Sequence, residues 1–574
     1  MARPVLPDAY VTVLDGALGL TSDFPSGVFA QVGRSSQGPY ATPRTLTEAD
    51  QVTGTFGDGD LPMALRLALV SGARMVLGVR TRTSQPGSLG SVQRAGLAQG
   101  LISPMVKQGT GSGSASLSGS PLEGVQGLLE MQIVDGGEVG TATFRWRFAG
   151  GAWSQPIATA GSVLLASLGV TVAWQSGAEQ PSFVADDLFA CHLLRQGLGS
   201  MAASGDPALD GRIGVQITGS GALNQAKFRY RLDDQATWSP EQTVQATVQV
   251  PGTGVTLQFT EGDPAAYSFL AGERYDVPMA GPAATVEDLM EAIDSLLAVN
   301  YPVEFLHVVG PTGPSVWAAL QAKAEEFESQ YRYLHVLAEA RGPTETESAD
   351  EWVAALLQQA ESFAGTRVSV CAGRAYIEYM GHRGDINAAA LYAARLSRIG
   401  VQQSPGRIVD GPLPLAIEVA PVDSEGRSML NDGHIALLDA TGKFVTVRRY
   451  VGQAGVFVTN GRMKVNETSD FRWVEWRRVM DKACREVRLA ALRSVHKEAT
   501  PEGLRALQAD CQQPLDIMRG AGEVYDARAS IPDGQDFLAT STVKVKIRIQ
   551  PVPTMRWIEV EMGFENPFRG GGEA

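Results

Sequence analysis

The chain has 574 residues, several times the length of an ordinary domain, so two to four domains are expected. Its 62 acidic and 48 basic residues give a net charge of −14, which argues against nucleic acid as the main partner, because phosphate binding needs a basic surface. No apolar run reaches the roughly 18 residues of a membrane span, and the first residues lack the apolar stretch of a signal peptide, so no membrane anchoring is expected. The cysteines and histidines are few and widely spaced, so no metal, disulfide or cofactor is expected.

Residues 1–20 are predicted to be an extended N-terminal arm. Tyr10, Val11 and Val13 lie in a strand-like run that is followed by glycines. An extended segment of about 15 residues reaches about 50 Å, which is far enough to leave its own domain.

Helix and strand patterns alternate in two separated parts of the chain, 21–105 and 281–440. In the second part, Thr285 is the predicted N-cap of one helix, and another helix is predicted to start at Ser348–Glu351. Its predicted strands are 304–310, 333–338 and 366–371. This alternation predicts a parallel α/β sheet with right-handed crossovers. The turn Gly310–Gly313 departs from the dinucleotide-binding fingerprint, so that function is not expected.

An internal repeat occupies the middle of the chain. The motif Phe144–Arg147 recurs as Phe228–Arg231, and Trp153 recurs as Trp238. Short runs of alternating apolar and polar residues between glycines predict two tandem inserted β-sandwich-like modules. The predicted modules cover residues 106–196 and 197–280. The alternation buries the aromatic side chains and exposes the arginines, which leaves open a carbohydrate-binding role for the exposed arginines and tryptophans.

Residues 441–540 are predicted to form a C-terminal domain around a long helix. The helix is expected from Phe471 to about Lys497, with its N-cap at Ser469 or Asp470. Its polar side chains are mostly basic, in contrast to the acidic remainder of the chain. An acidic partner surface is therefore one hypothesis for this helix.

The last predicted unit, 541–574, contains two runs of strict alternation. In the first run, apolar residues alternate with basic or polar ones; the apolar positions are Val543, Val545, Ile547 and Ile549. In the second run, Ile558 and Val560 alternate with Glu559 and Glu561. One strand is basic outside and the next acidic, so the two are predicted to pair.

No catalytic motif is present in the sequence. Zinc-protease, nucleophile-elbow, phosphate-loop and kinase signatures are all missing, so the chain is not expected to be an enzyme. His307 and His335 lie in apolar strand patterns and are interpreted as hydrogen-bonded structural groups.

The order of several segments resembles the contractile tail sheath proteins of myovirus-type bacteriophages. No single motif carries this resemblance, which covers roughly residues 1–100 and 285–565. The segments that resemble sheath proteins are Phe56–Gly59, Ser71–Arg80, Gln403–Ile408, Val456–Asn460 and Ser469–Val474.

The resemblance implies a discontinuous α/β core, built from N- and C-terminal parts, with the β modules inserted between them. It also implies a homo-oligomer of stacked hexameric rings around a tail tube protein, ending at baseplate and tail terminator proteins, assembled in the host cytoplasm and located in the virion. Terminal strands would be donated to neighbouring subunits. The residues expected in these inter-subunit strands are Tyr10, Val11, Val13, Val543, Val545, Ile547, Ile549, Ile558 and Val560.

The basic helix is the segment expected to face an acidic tube. Charge alone motivates this hypothesis. The candidate tube-facing residues are Arg477, Arg478, Lys482 and Arg485.

The alternative function is a baseplate or fibre adhesin. In that case the repeated β modules would bind glycans, and the purified protein would form rods instead of hollow striated tubes.

Overall fold

The computed structural model of the protein describes residues 27–564 apart from 233–236, 301 and 345. The chain divides into two compact units, one made of residues up to 84 and from 284 onwards, the other of residues 85–283. No helix in the described part of the chain combines the length and apolar composition needed to cross a bilayer.

The first unit begins with a short α/β segment. Its elements are β1 (Phe29–Gly33), β2 (Arg44–Leu46), α1 (Asp50–Phe56), α2 (Asp60–Val70) and β3 (Val76–Arg80). The helix and strand patterns expected within residues 21–105 are present here in α2 and β3. Gly72, with φ of 98°, follows the helix and allows the chain to reverse into β3.

The second unit consists of short antiparallel strands. They are β4 (Ser88–Leu89), β5 (Gln93–Ala95), β6 (Leu101–Ile102), β7 (Val106–Gln108), β8 (Ser114–Gly119), β9 (Gly127–Asp135), β10 (Thr143–Phe148), β11 (Ile157–Ala158), β12 (Val163–Leu165), β13 (Val170–Gln175), β14 (Leu188–Leu194), β15 (Ser200–Gly205), β16 (Gly211–Gly219), β17 (Lys227–Leu232), β18 (Gln242–Thr243), β19 (Thr247–Val250), β20 (Val255–Thr260) and β21 (Arg274–Ala280). A 3-10 turn covers Ala265–Tyr267.

The strands of the second unit form two similar pairs of sheets. One sheet has the order β11-β10-β9-β14-β6, with β7 also on β14, and its companion sheet is β12-β13-β8. The other pair is β18-β17-β16-β21-β4, with β5 also on β21, and β15-β20-β19. The aromatic residues of the repeat lie in the two cores, where Phe144 and Phe228 are fully buried.

The modules are nested, which corrects the predicted tandem boundaries. β4 and β5 precede the first module in sequence but pair with β21 at the end of the second. Likewise β6, which lies before residue 106, pairs with β14 of the first module. Edge strands of two or three residues are too short to give an alternation pattern, so the sequence did not reveal them.

The chain then returns to the first unit. The elements are α3 (Val286–Asp294), β22 (Phe305–Thr312), α4 (Pro314–Ser329), β23 (His335–Ala340), α5 (Ala349–Glu361), β24 (Val368–Cys371), β25 (Arg374–Tyr379), β26 (His382–Asn387), α6 (Ala389–Arg398), β27 (Ala416–Val419), α7 (Asp432–Ala436), β28 (Val447–Arg448), β29 (Phe457–Val458), α8 (Val474–Leu492), α9 (Pro501–Gly520), β30 (Val524–Ser530), α10 (Phe537–Thr540) and β31 (Lys546–Pro551). Shorter turns are the 3-10 segments Ser295–Ala298 and Ile408–Asp410 and the π turn Leu437–Thr441.

One six-stranded sheet organises this unit, in the order β2-β3-β1-β22-β23-β24. All neighbours are parallel except β2 and β3. The predicted parallel α/β sheet is present, and Thr285 and Ser348 both form capping boxes at the starts of α3 and α5. Helices α2 and α6 contribute to the core on one face of the sheet, and α3, α4 and α5 to the core on the other.

The two strand histidines differ from each other. His307 contacts Gln31 at 3.0 Å and Glu339 at 2.9 Å, as a hydrogen-bonded structural residue should. His335 is equally buried, but neither ring nitrogen has a hydrogen-bond partner among the described residues. The interpretation of His335 as hydrogen-bonded is therefore wrong; its ring stacks on Phe305 at 5.4 Å instead.

Candidate subunit interface

The C-terminal end of the described chain combines a two-stranded ribbon with an exposed apolar segment. The ribbon consists of β30 and β31, and the segment consists of residues 552–564, here called the C-terminal arm. β30 and β31 are antiparallel and pair only with each other among the described strands, so each has one open edge. An open edge presents unpaired backbone donors and acceptors to any added strand.

One face of the ribbon packs on the body of the first unit. Ala527 and Ala529 of β30 are buried, and Ile547 and Ile549 of β31 pack against the same core. This core includes residues from both α8 and α9. The ribbon is therefore held by apolar contacts on its inner face, and its outer face is exposed.

The predicted pairing of 543–549 with 558–562 is wrong. β31 begins at Lys546 and pairs with Val524–Ser530 of the same chain, and residues 558–562 form no strand. Alternation shows that a segment is strand-like, but it does not identify the partner. Of the predicted inter-subunit residues, Val543 and Val545 precede β31, Ile547 and Ile549 lie in it, and Tyr10, Val11 and Val13 lie outside the described residues.

The C-terminal arm carries large apolar side chains that the rest of the described chain leaves exposed. The exposed residues are Met555, Trp557, Ile558, Val560, Met562 and Phe564, each at least 71% accessible. A row of this kind, with no strand partner, is typical of a surface that another polypeptide covers. Ile558 and Val560, both predicted for inter-subunit contacts, belong to it.

Arg556 is the exception in the arm, because its side chain is buried. It donates to Glu475 Oε1 in the first turn of α8, and its guanidinium carbon lies 3.7 Å from the centre of the Trp473 ring. Glu475 is fully buried, and burial raises the pKa of its carboxyl despite the opposing effect of Arg556. This contact fixes the start of the exposed arm to the body of the protein.

Sequence reasoning missed this anchor. The available signal was a single arginine inside an otherwise apolar and acidic segment, between Met555 and Trp557. Nothing in the sequence identifies Glu475 as its partner, because the two residues are far apart along the chain.

A groove of about 560 Å³ lies beside the anchored arm. Its lining is mixed, with Ile408, Ile435 and Tyr450 on one side and Met555 and Ile558 of the arm on another. Residues of the C-terminal arm therefore form part of the lining of this groove.

Helix α8 is shorter than predicted and its arginines are engaged within the chain. The helix begins at Val474, after Trp473, instead of after Ser469 or Asp470. Arg478 donates to Glu304 Oε1 at 2.5 Å and to the Leu396 carbonyl at 2.9 Å. Arg477 donates to Asp481 Oδ1 through Nε at 3.0 Å.

These contacts correct the predicted tube-facing set. Arg477 and Arg478 are buried, at 5% and 1% accessibility, so they do not present their charge to a partner surface. Burial of an arginine requires a carboxylate beside it, which is why both are found in ion pairs. Lys482 is partly exposed and pairs with Glu523 at 2.7 Å, and Arg485 is partly exposed near Glu486. For these two residues the tube-facing role stays a prediction.

The Glu304 carboxylate connects α8 to the sheet by accepting hydrogen bonds from two groups. Glu304, directly before β22, accepts from Arg478 and from the Gly27 backbone N–H at 2.8 Å. Burial alone would raise the pKa of Glu304, but the Arg478 guanidinium, together with Arg485 and the Gly27 N–H, more than offsets it, so the pKa lies below its ordinary value. The carboxylate therefore stays charged and holds α8 against the sheet.

Each repeated tryptophan contacts two arginine side chains. The guanidinium carbons of Arg145 and Arg147 lie 4.8 and 4.7 Å from the centre of the Trp153 ring. The second module repeats this arrangement at Trp238, with its two arginines at 4.7 and 4.8 Å. Tryptophans that bind sugars need a free ring face. Here two guanidinium groups lie close to each indole ring.

Two family descriptions match the chain. "DUF2586, N-terminal domain" matches residues 6–462, and "DUF2586, C-terminal domain" matches residues 470–569. The chain therefore belongs to the DUF2586 family. A search of curated proteins returns no match.

The chain is also similar to solved structures of sheath proteins. The sheath tail protein of Listeria innocua is 10% identical, with a TM-score of 0.43 and coverage of 92% of both chains. The sheath tail protein of Desulfitobacterium hafniense is 12% identical, with a TM-score of 0.40 and coverage of 91% of this chain and 93% of that one. The contracted helical sheath of the anti-feeding prophage is 15% identical, with a TM-score of 0.37 and coverage of 51% and 78%. The description of each of the three names a sheath.

Proposed function

We propose that this chain is a structural, non-catalytic subunit of a contractile tail sheath. Subunits would form stacked hexameric rings around a tail tube, between baseplate and terminator proteins, in a virion or virion-like particle. Contraction of the sheath would drive the tube through the host envelope.

The observation that carries the proposal is the C-terminal arm. Six large apolar side chains between residues 555 and 564 are exposed, while the arm's base is fixed by the buried Arg556. Burying one side chain of this size stabilises a structure by about 1.5–3 kcal/mol. The six exposed side chains of the arm therefore lack a large stabilisation while they are in water. A neighbouring subunit that covers the arm would recover it, and every subunit in a regular lattice offers the same surface.

The order of segments that resembles sheath proteins supports the same proposal. These segments come from both parts of the first unit, while residues 85–283 lie between those parts in sequence and form their own unit. We place this second unit on the outside of the sheath, where an insertion would not interrupt ring packing.

Electron microscopy of the purified full chain tests the proposal. Hollow, striated tubes or stacked rings are expected, whereas rods would indicate the adhesin alternative. A chain ending at Trp557 keeps the Arg556 anchor but lacks the later exposed residues of the arm, and should remain as small particles with an unchanged thermal unfolding profile.

A variant of full length tests whether the apolar side chains of the arm, and not merely its presence, are needed for assembly. Ile558→Ser combined with Val560→Ser and Met562→Ser should also prevent tube formation. A matched control changes exposed apolar residues elsewhere, Leu164→Ser and Met380→Ser, and should form tubes as the wild type does. If the chain ending at Trp557 formed normal tubes, the exposed part of the arm would have no role in assembly.

A further inference from the structure

A cavity smaller than the groove lies at the N-terminal end of α8, beside the base of the C-terminal arm. Its volume is about 230 Å³. The arm contributes Arg556 to its wall, α8 contributes Trp476, and the segment before α8 contributes Arg472. Arg462 and Glu467, which follow β29 in sequence, complete its charged lining. The arm and the body of the first unit therefore share one cavity.

The cations at this cavity outnumber the carboxylates that contact them in the described part of the chain. Arg462 pairs with Asp439 at 2.8 Å. Arg556 pairs with Glu475. The third carboxylate, Glu467, is shared by three cations, which are Lys443, Arg462 and Arg472. Three carboxylates are therefore matched to four cations, and burial raises the pKa of Glu475, which favours its neutral form.

Two arginines of the cavity also lie close to one indole ring. The guanidinium carbons of Arg462 and Arg556 are 4.4 and 3.7 Å from the centre of the Trp473 ring. Burial and the nearby charge of Arg462 lower the pKa of Arg556, despite the Glu475 carboxylate beside it. A negative charge in the cavity would reduce this repulsion between like charges.

Three N–H groups on the lining residues have no hydrogen-bond acceptor among the described residues. They are Nε of Arg472, Nε1 of Trp476 and Nε of Arg556. The Arg556 side chain is only 9% exposed, so bulk solvent does not replace the missing acceptor. Trp476 lies in the first turn of α8, where the helix dipole adds a partial positive charge. Because a buried donor without an acceptor is costly, these groups indicate a ligand that accepts hydrogen bonds.

We propose that this cavity binds a small tetrahedral oxyanion of the kind represented by inorganic phosphate and sulfate. Its charge would balance the surplus cation, and its oxygens would accept hydrogen bonds from the arginine and tryptophan N–H groups. Water can accept the same hydrogen bonds, but it does not balance the charge. The inference concerns a ligand of the single chain and does not depend on the proposed function.

The volume of the cavity limits the ligand to a small ion. It is several times the roughly 30 Å³ that a water molecule occupies, which leaves room for a tetrahedral oxyanion. It is below the roughly 300–1,000 Å³ of pockets for drug-sized molecules, so a nucleotide is not expected. Because Arg556 belongs to the arm and Arg472 and Trp476 to the body, the bound ion would add a second link between them, beside the contact of Arg556 with Glu475.

Titration of the full-length, unassembled protein in chloride buffer tests the inference. Inorganic phosphate should bind with a stoichiometry near one ion per chain, measured by isothermal titration calorimetry, and should slow hydrogen exchange at residues 553–557. Arg472→Met should weaken this binding about tenfold, and Trp476→Phe, which removes one N–H but keeps an aromatic ring, should weaken it severalfold. The Arg472 side chain is 39% exposed, so this variant should fold. The control Arg383→Met removes an exposed arginine elsewhere and should bind phosphate as the wild type does.

The variants separate binding at the cavity from the general stabilisation of proteins by phosphate, which acts through exclusion of the ion from the protein surface. A phosphate-dependent rise in melting temperature that is larger in the wild type than in Arg472→Met supports the site. Absence of saturable heat in the wild type, or equal phosphate affinity of the wild type and both cavity variants, would overturn it. If Arg472→Met did not fold, the wild-type titration and Trp476→Phe would still decide. A protein that binds phosphate but forms no tubes would overturn the proposed function alone.

Discussion

Arg556, in the arm that follows the last strand, is buried against Glu475 in the first turn of α8. The two groups are 9% and 0% accessible as side chains, and the Trp473 ring lies beneath the guanidinium. A charged residue is rarely buried unless it is paired, so this pair marks the point from which the exposed arm departs. The body of the protein thereby determines where the arm begins, while its apolar side chains remain available.

Substitution of Arg556 should destabilise the protein, because the Glu475 carboxylate would stay buried without its ion-pair partner. Arg556→Met keeps an aliphatic chain over Trp473 but leaves Glu475 uncompensated, so the free energy of unfolding should fall by roughly 3–5 kcal/mol at neutral pH. With only Arg478 and the Glu475 backbone N–H left to oppose burial, the pKa of Glu475 would rise further, so the folded state would bind a proton that the unfolded state releases, and the loss should be smaller at pH 5 than at pH 7.5. Urea unfolding at the two pH values measures this difference.

The double variant Arg556→Met with Glu475→Gln is the control for this prediction. It removes both charges and should recover most of the lost stability. Equal losses at both pH values would show that Glu475 is not the group responsible.

The buried pair between Arg478 and Glu304 is one of two polar links between α8 and the sheet among the described residues, beside the pair between Asp481 and Arg367. Arg478→Met leaves Glu304 with the Gly27 N–H as its remaining donor, and should lower the free energy of unfolding by about 3–5 kcal/mol. Arg488→Met is the matched control on the same helix, because Arg488 stacks on Tyr331 at the surface and should cost about 1 kcal/mol or less. Chemical denaturation compares the two; equal costs would contradict the assigned role of Arg478.

Much of the α/β sheet could be predicted because its signals are local. The strands at 304–310, 333–338 and 366–371 were placed within a few residues by apolar runs, the cap Thr285 by its own side chain, and the start of α5 by Ser348–Glu351. The partner of β31 could not be predicted. β30 has the sequence VYDARAS, whose buried residues include two alanines, and its register shifts near Tyr525, so it has no clear alternation.

The role of α8 was harder to predict, because charge in a sequence does not reveal burial. Arg477 and Arg478 look like a basic surface in the sequence, yet Arg478 is neutralised by Glu304, far away along the chain. Only the tertiary fold brings these groups together. The same holds for the arm, where Arg556 and Glu475 meet across a long sequence separation.

The repeated tryptophan should stabilise the β modules and should not bind sugars. Trp153→Ala removes two guanidinium contacts, each worth about 0.5–1 kcal/mol, so hydrogen exchange of the strand Thr143–Phe148 should become faster. The strand Lys227–Leu232 of the other module is the internal control, and its hydrogen exchange should not change. Loss of glycan binding with unchanged exchange would instead support the adhesin alternative.

His335 should make the protein less stable in mild acid. Burial, together with the nearby charges of Arg478, Arg477 and Arg367, holds the pKa of His335 well below its ordinary value. Below a pH of about 6.5 the unfolded chain therefore binds a proton that the folded chain excludes, so stability falls as the pH falls, by up to about 1.4 kcal/mol per pH unit. Urea unfolding at pH 7.5, 6.5 and 5.5 measures this slope.

The substitution His335→Phe should reduce the acid sensitivity, because it removes the titrating group and keeps an aromatic ring stacked on Phe305. The control is His382→Phe, which removes an exposed histidine in β26 and should leave the slope in place. The comparison concerns the slope and not the absolute stability, since a phenylalanine in this core also changes the packing. A slope that persists in His335→Phe would show that another group causes the loss of stability in acid.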